Sequence, residues 1–275
     1  MNTTQFNSRH KAIKMPEGAA GEYAKYSCNL YKGCRNECTY CFNNRWKWGN
    51  VPTLKKCFKN EQHALEVFEK ELQANLPELQ KHGLFFTFTS DPCLKETIKM
   101  TDAAIRICRD YGVLVKILTK RADWVGGYIT ADNKYAAFPF DVPENIRKNV
   151  LIGFTLTGHD ELEPNASTNA ERIEAMRKLH NAGFKTWASI EPIIDIQISM
   201  KMIACSAEFC NLFKVGIGGG KKYVKNELRA MINYSMNRFK NNKFYFKDTL
   251  LAAAGIDRSE LPENCVTRDY NIFNL

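Results

Sequence analysis

Apolar residues along this chain follow two alternating rhythms. Short runs rich in β-branched and aromatic residues recur at 27–31, 84–90 (LFFTFTS), 113–119 (VLVKILT), 150–157 (VLIGFTLT), 184–190 (FKTWASI) and 211–217 (NLFKVGI), and each predicts a strand. Between them the apolar positions return every three or four residues. Leu65, Phe68 and Leu72 do so within 61–75, Ile98, Ala104, Ile105 and Cys108 within 97–111, and Ile173, Met176 and Leu179 within 168–182. That is the period of an amphipathic helix. A fourth helical pattern covers 222–239, and Gly183 in NAGF is placed to cap the third. Residues 120–149, with Gly126, Gly127, Pro139 and Pro143, read as a loop-rich insertion. Strand and helix alternating in this way predict βαβ units and a parallel sheet. With no linker and no internal repeat, the expectation is a single α/β domain over 1–275, with a core of about 26–220 and a C-terminal region of about 221–275.

In such folds ligands gather at the carboxyl ends of the strands. Polar or glycine-rich segments follow all six predicted strands: the cysteine loop 32–42, TSDP (89–92), TKR (119–121), TGHDELEP (157–164), EPIID (191–195) and GIGGG (216–220). They predict a site that faces a large polar ligand.

Composition narrows the class. The chain has 275 residues, 44% of them hydrophobic, enough for a substantial core. Its N-terminus, MNTTQFNSRHKAIK, has no apolar signal core, and runs such as VLIGF (150–154) fall short of a membrane span. A cytoplasmic protein without a membrane partner is expected. Ten cysteines in that compartment argue against a disulfide framework, and only Cys34, Cys38 and Cys41 are clustered. Net charge is +9, and residues 214–247 hold nine basic side chains against Glu227 alone.

The clustered thiols lie in KGCRNECTYCF. Three thiolates in one loop suit zinc with a fourth protein ligand, or an iron–sulfur cluster with one iron left open. No second CxxC and no HxxxH is present, and His10, His63, His82, His159 and His180 are scattered.

A CxxxCxxC loop with an aromatic residue before the last cysteine resembles the signature of radical S-adenosylmethionine (SAM) enzymes. Further along, LEPNASTNAERIEAMRKLHNAGFKTWASIEPIID resembles the spore photoproduct lyase and DNA-repair-photolyase-like branch of that superfamily, as do NLYKGC, TSDP and TK. The similarity covers residues 26–218. It implies a partial (β/α)6 barrel of the TIM type, a [4Fe–4S] cluster held by Cys34, Cys38 and Cys41, and SAM as cosubstrate; the helical pattern at 222–239 and the basic residues around it make the C-terminal region a basic helical extension of that barrel. A reduced flavodoxin or ferredoxin-type protein is then the electron donor.

The same resemblance implies site residues. Ser90 and Asp91 are to meet the amino group of SAM, Lys120 its carboxylate, and Thr155 or Thr157 the carboxylate or ribose. Glu191 joins them, and Gly218 and Gly219 in GIGGG are to pack against adenine or ribose. Each has a plainer alternative: Asp91 as a helix cap, Lys120 as a surface lysine, the glycines as a turn. Tyr40 matches the aromatic of the loop. Spore photoproduct lyases carry a hydrogen-donating cysteine where this chain has Phe88, and a tyrosine where it has Phe42. Thymine-dimer cleavage is therefore not expected, though Cys93 offers a substitute thiol if it is not simply a small core residue. Cys205 and Cys210 are expected on one helix without sharing a face.

The basic stretch interleaves its charges with Tyr223, Tyr234, Phe239, Phe244, Tyr245 and Phe246, and RWKWG (45–49) adds more beside the thiols. This suits phosphate contacts with base stacking, or else a solvated helix face over core aromatics. Three functions remain open: radical SAM chemistry on a nucleic acid base or nucleotide, the same chemistry on a peptide or metabolite, and nucleic acid binding with a structural metal and no turnover.

Overall fold

Every residue of Val150–Thr155 is buried, as a strand covered on both faces must be. The computed structural model describes residues 12–45, 52–129 and 133–274, so Trp46–Gly49 of RWKWG lie outside it. One sheet holds eight strands: β1 (Ile13–Lys14), β2 (Ser27–Cys28), β3 (Leu84–Phe86), β4 (Val115–Thr119), β5 (Val150–Thr155), β6 (Lys185–Ile193), β7 (Leu212–Ile217) and β8 (Lys243–Phe246). They stand in chain order across the sheet. β1 runs antiparallel to β2, and all other pairings are parallel.

Helices α1 (Glu61–Ala74), α2 (Leu76–His82), α3 (Ile98–Asp110), α4 (Asn169–Asn181), α5 (Ile196–Ser206), α6 (Lys225–Arg238) and α7 (Asp248–Ala254) complete the βα units. Their ends follow local chemistry. Asn60 accepts a hydrogen bond from the His63 N–H at the start of α1, and Thr168 and Glu171 form a capping box on α4. Gly183, at φ 86°, follows α4 in the left-handed region. Among its described residues the insertion between β4 and β5 carries a hairpin of two-residue strands, Tyr128–Ile129 with Tyr135–Ala136, and a 3-10 turn at Glu144–Asn149.

The sheet curls. Outward residues such as Phe86, Ile117, Ile152, Ile190, Val215 and Phe246 pack in an outer apolar layer that also holds the helices' buried faces. The alternate residues, among them Phe85, Leu118, Leu151, Trp187, Leu212 and Tyr245, meet in one inner cluster that spans β3 to β8. Such a cluster forms only if the strands wrap around it, as in a barrel left open at one side. Tyr23 and Ala24 from the N-terminal segment and Val266 and Ile272 from the tail complete this inner packing. Gly153 is required there, because a Cβ would lie 2.3 Å from the Trp187 indole.

Three expectations change. The strand expected over 84–90 stops at Phe86, where the Asn29 carboxamide oxygen accepts hydrogen bonds from the Thr87 hydroxyl (2.6 Å) and from the N–H groups of Phe88 (3.0 Å) and Thr89 (3.2 Å) and turns the chain away. The C-terminal region is not wholly helical: α6 is present, and KFYF adds β8, a seventh parallel strand where six were expected. Phe244, Tyr245 and Phe246 are consequently at most 1% exposed, Lys214 and Lys247 point into the fold, and this strand offers no stacking surface for bases. Cys210 lies beyond the end of α5 and is buried, whereas Cys205 is exposed.

Candidate active site

The carboxyl ends of β2 to β5 converge on the thiol loop. Asp91, 6% exposed, ties them together. Its Oδ1 accepts hydrogen bonds from the Cys93 N–H (2.9 Å) and the Thr119 hydroxyl (2.6 Å), and its Oδ2 from the Asn36 carboxamide (2.8 Å) and the Lys120 N–H (2.8 Å). Four donors fill the four lone-pair positions of a carboxylate. Asp91 therefore clamps the thiol loop, through Asn36, to β4.

A second tie lies beneath Tyr40. Its hydroxyl donates to Glu163, whose other oxygen is 2.6 Å from Nη2 of Arg172. Both Glu163 and Arg172 side chains are fully buried. Arg172 also donates from Nε to the Ser167 carbonyl and from Nη1 to the Thr155 carbonyl, each at 2.8 Å. The loop, the segment after β5 and helix α4 are thus joined by one buried charge pair.

The thiols sit in this frame. Cys38 is buried, and Cys34 and Cys41 are half-buried. Burial, reinforced by the Asp91 charge, pushes the Cys34 thiol up to about 12, and burial likewise raises Cys38. Lys120 opposes both shifts. Its ammonium lies 5.5 Å over the Tyr40 ring. Burial alone would lower the pKa of Lys120, but Cys38 and Glu163 outweigh it and hold the ammonium above its ordinary value. Among the described residues no three Cys, His, Asp or Glu side chains converge to hold a single metal ion. The Ser90 hydroxyl and the Asn36 carboxamide oxygen are buried without a protein partner.

The remaining expected residues separate into other settings. Thr157 is fully buried, and its hydroxyl accepts from the His159 N–H at 3.3 Å. Cys93 is 2% exposed in the outer apolar layer, where burial and then Asp91 raise its thiol well above the ordinary range. The Gly218 N–H donates to the Tyr223 hydroxyl (2.8 Å), which donates to the Ile193 carbonyl, and Gly219 follows in an exposed turn.

Glu191 belongs to a different polar group, at the ends of β6 and β8. It accepts from the Tyr23 hydroxyl and from the Lys247 ammonium (2.9 Å), which also lies 3.3 Å from Glu22. Lys214 donates to the Glu22 carbonyl at 2.7 Å, and burial holds its ammonium well below the ordinary value. Gly216 makes room for this group, since a Cβ there would lie 2.8 Å from Lys247 and 2.9 Å from Glu191.

Sequence reading missed Asn36, Glu163, Arg172 and Tyr23. For Arg172 a signal existed: it falls three and seven residues from Asn169 and Leu179 on the buried face of α4, where a charge demands a partner.

No family model matches the chain. Over 199 residues it is 25% identical to an uncharacterized protein of Methanocaldococcus jannaschii, a match covering 66% of this chain and 64% of that one. The chain thus spans just under two thirds of that relative's length. Spore photoproduct lyase complexed with dinucleoside spore photoproduct superposes with a TM-score of 0.64 at 16% identity, over 87% of this chain and 81% of that one. The chain has the fold of spore photoproduct lyase. A mutant of that enzyme with bound AdoMet and dinucleoside spore photoproduct gives 0.55 at 17% identity, over 86% and 65% of the two chains. The expected barrel with a mostly parallel sheet is therefore the observed fold. Among the described residues no helix is long and apolar enough to cross a membrane.

Proposed function

We propose that this protein is a radical SAM enzyme. The observation that carries the reading is the thiol loop itself: Cys34, Cys38 and Cys41 stand at the carboxyl rim of an open barrel, with Lys120 beside them. The donor set fits a [4Fe–4S] cluster, which takes one thiol per iron and leaves one iron for another ligand. Held by these thiols and with SAM bound, such a cluster would supply the electron for radical hydrogen abstraction at a substrate carbon.

The chain's own residues then have distinct tasks. Lys120, held charged, meets the SAM carboxylate. The buried Ser90 hydroxyl, without a protein partner, is free to turn to the amino group. Asp91 is occupied by its four donors, so we assign it to positioning the loop rather than to contact with SAM. Thr155 and the Gly218–Gly219 turn line the rim, and Tyr40 shields the thiols. Cys93 lies in the apolar layer and receives no hydrogen-donating role, and Glu191 belongs with Tyr23 and Lys247 rather than with SAM. The Phe88 ring is stacked on Phe85 at 4.4 Å, and neither it nor Phe42 donates hydrogen, which supports a reaction other than thymine-dimer cleavage.

A nucleic acid base or nucleotide is the favoured substrate class. Its support is the shared fold and the exposed Lys221, Lys222, Lys225, Arg238 and Lys240. A flavodoxin or ferredoxin-type protein supplies the electron.

Anaerobic reconstitution with iron and sulfide tests the enzyme reading. The expected result is cluster absorbance and 5′-deoxyadenosine formed from SAM under dithionite. Cys34→Ala, Cys38→Ala and Cys41→Ala should each abolish both signals, whereas Cys57→Ala and Cys210→Ala should retain them. A wild-type protein showing neither signal refutes it.

A further inference from the structure

Side chains alternate along a strand, so each inner face climbs toward the mouth in steps of two. On β6 the inner positions run Trp187, Ser189, Glu191, on β7 Leu212, Lys214, Gly216, and on β8 Tyr245 and then Lys247 just past its end. On β4 and β5 the same count ends at Lys120 and Thr155. These last positions form a layer above the inner apolar cluster, the floor that a ligand entering the barrel meets. Lys120 and Thr155 belong to the strands nearer the thiol loop in sheet order, and the SAM contacts proposed above use that half. Glu191, Gly216 and Lys247 make up the other half.

Glu191 is the open group in that half. The Tyr23 hydroxyl donates to its Oε2, so the Ser189 hydroxyl, 2.8 Å away, donates to Tyr23 in turn. The Lys247 ammonium lies 2.9 Å from Oε1 and 2.7 Å from Oε2. Three of the four acceptor positions of the carboxylate are thereby used, and among the described residues nothing fills the fourth. Asp91, by contrast, is full. The Glu191 side chain is 23% exposed and that of Lys247 only 4%, so the carboxylate faces the mouth and the ammonium lies behind it. Glu191 and Glu22 share this one ammonium, and burial holds the Lys214 ammonium well below its ordinary value. Such an end suits an uncharged hydrogen-bond donor and repels a phosphate. Beside it the Tyr23 ring meets Phe88 edge-on at 6.1 Å, and Phe88 is half-buried, stacked on Phe85 and tied to the thiol loop by the Asn43 carboxamide, which donates to its carbonyl at 3.4 Å. Lys221 and Lys222 are exposed outside this floor, Lys221 donating to the Ile194 carbonyl.

We propose that Glu191, positioned by Tyr23 and Lys247, is a specificity-determining residue that accepts the ring N–H of a nucleobase entering the mouth base first. The proposal rests on the nucleobase reading above and narrows it to bases that carry a ring N–H, such as thymine, uracil and guanine. Phe88 offers that base an aromatic face, and the phosphates stay outside with Lys221 and Lys222. A base without the N–H leaves the carboxylate desolvated and short of a donor, which is how such a site rejects it.

Fluorescence anisotropy on the reconstituted protein tests this with four labelled octamers of deoxyadenosine, carrying at the centre thymine, N3-methylthymine, guanine or N1-methylguanine. In at least one of the two pairs methylation should weaken binding by about tenfold or more. Glu191→Gln keeps the shape, removes the charge and should reduce that ratio by about threefold or more. If it does not fold, Glu191→Asp, which withdraws the carboxylate by one methylene, serves the same comparison. Equal binding within both pairs overturns the proposal. So does an affinity change common to all four octamers with the ratio unchanged, which would make Glu191 structural only. Failure of every octamer to bind overturns both the proposal and the nucleobase reading, while cluster absorbance and 5′-deoxyadenosine formation report on the enzyme reading separately.

Discussion

Arg172→Met tests whether one buried charge pair holds the site together. The substitution keeps an unbranched side chain but removes the guanidinium 2.6 Å from Glu163 and the donors to the Ser167 and Thr155 carbonyls. Glu163, fully buried, then keeps only the Tyr40 hydroxyl. Breaking a buried pair from one side costs about 3–5 kcal/mol, because the surviving charge has no water to return to. Against a total stability of about 5–15 kcal/mol the loss is large. For a chain of this size it lowers the Tm by on the order of 10 °C. Urea and thermal unfolding of the cluster-free protein would measure it, beside Glu163→Leu and the double variant. The double variant should be more stable than the sum of the two single losses predicts, by about 2 kcal/mol or more. Strict additivity, or a loss under about 1 kcal/mol for Arg172→Met, would refute the reasoning.

Asp91→Asn places an amide donor among the N–H groups of Asn36, Cys93 and Lys120; it should cost about 2–3 kcal/mol and reduce iron retained on reconstitution. An unchanged iron-to-protein ratio would show that the loop does not need this clamp. Lys116, on the inner face of β4, has its ammonium held down to about 8 by burial, against about 10.4 in an unfolded chain. Between those values the unfolded chain binds more protons, so stability rises with pH across that window, and below it the full cost of burying the charge is present. Lys116→Met should therefore raise the Tm at neutral pH by more than at pH near 10, and an equal gain at both would contradict the assignment.

Much of this architecture is local in origin and was legible as such. Periodicities of two and of three to four residues located α1, α3, α4 and α6 to within a few residues, because amphipathic patterning and capping by Asn60 or Thr168 act between neighbours. The thiol loop was legible for the same reason: its spacing lies within eight residues of chain. Strand ends were less so, since β3 is stopped by Asn29, more than fifty residues earlier.

The basic stretch shows where local reading ends. Its composition is the same whether its lysines and aromatics meet solvent or the interior; Lys221, Lys222, Lys225, Arg238 and Lys240 stay exposed, whereas Phe244, Tyr245, Phe246 and Lys247 are buried because β8 pairs with β7 and packs against Glu22, over two hundred residues away. Spacing along the chain identified the thiols that can carry the chemistry. Which charges are buried, and which carboxylate is already spent on holding the loop, depend on partners that only folding brings together, because desolvation and hydrogen bonding are set by neighbours in space rather than in sequence.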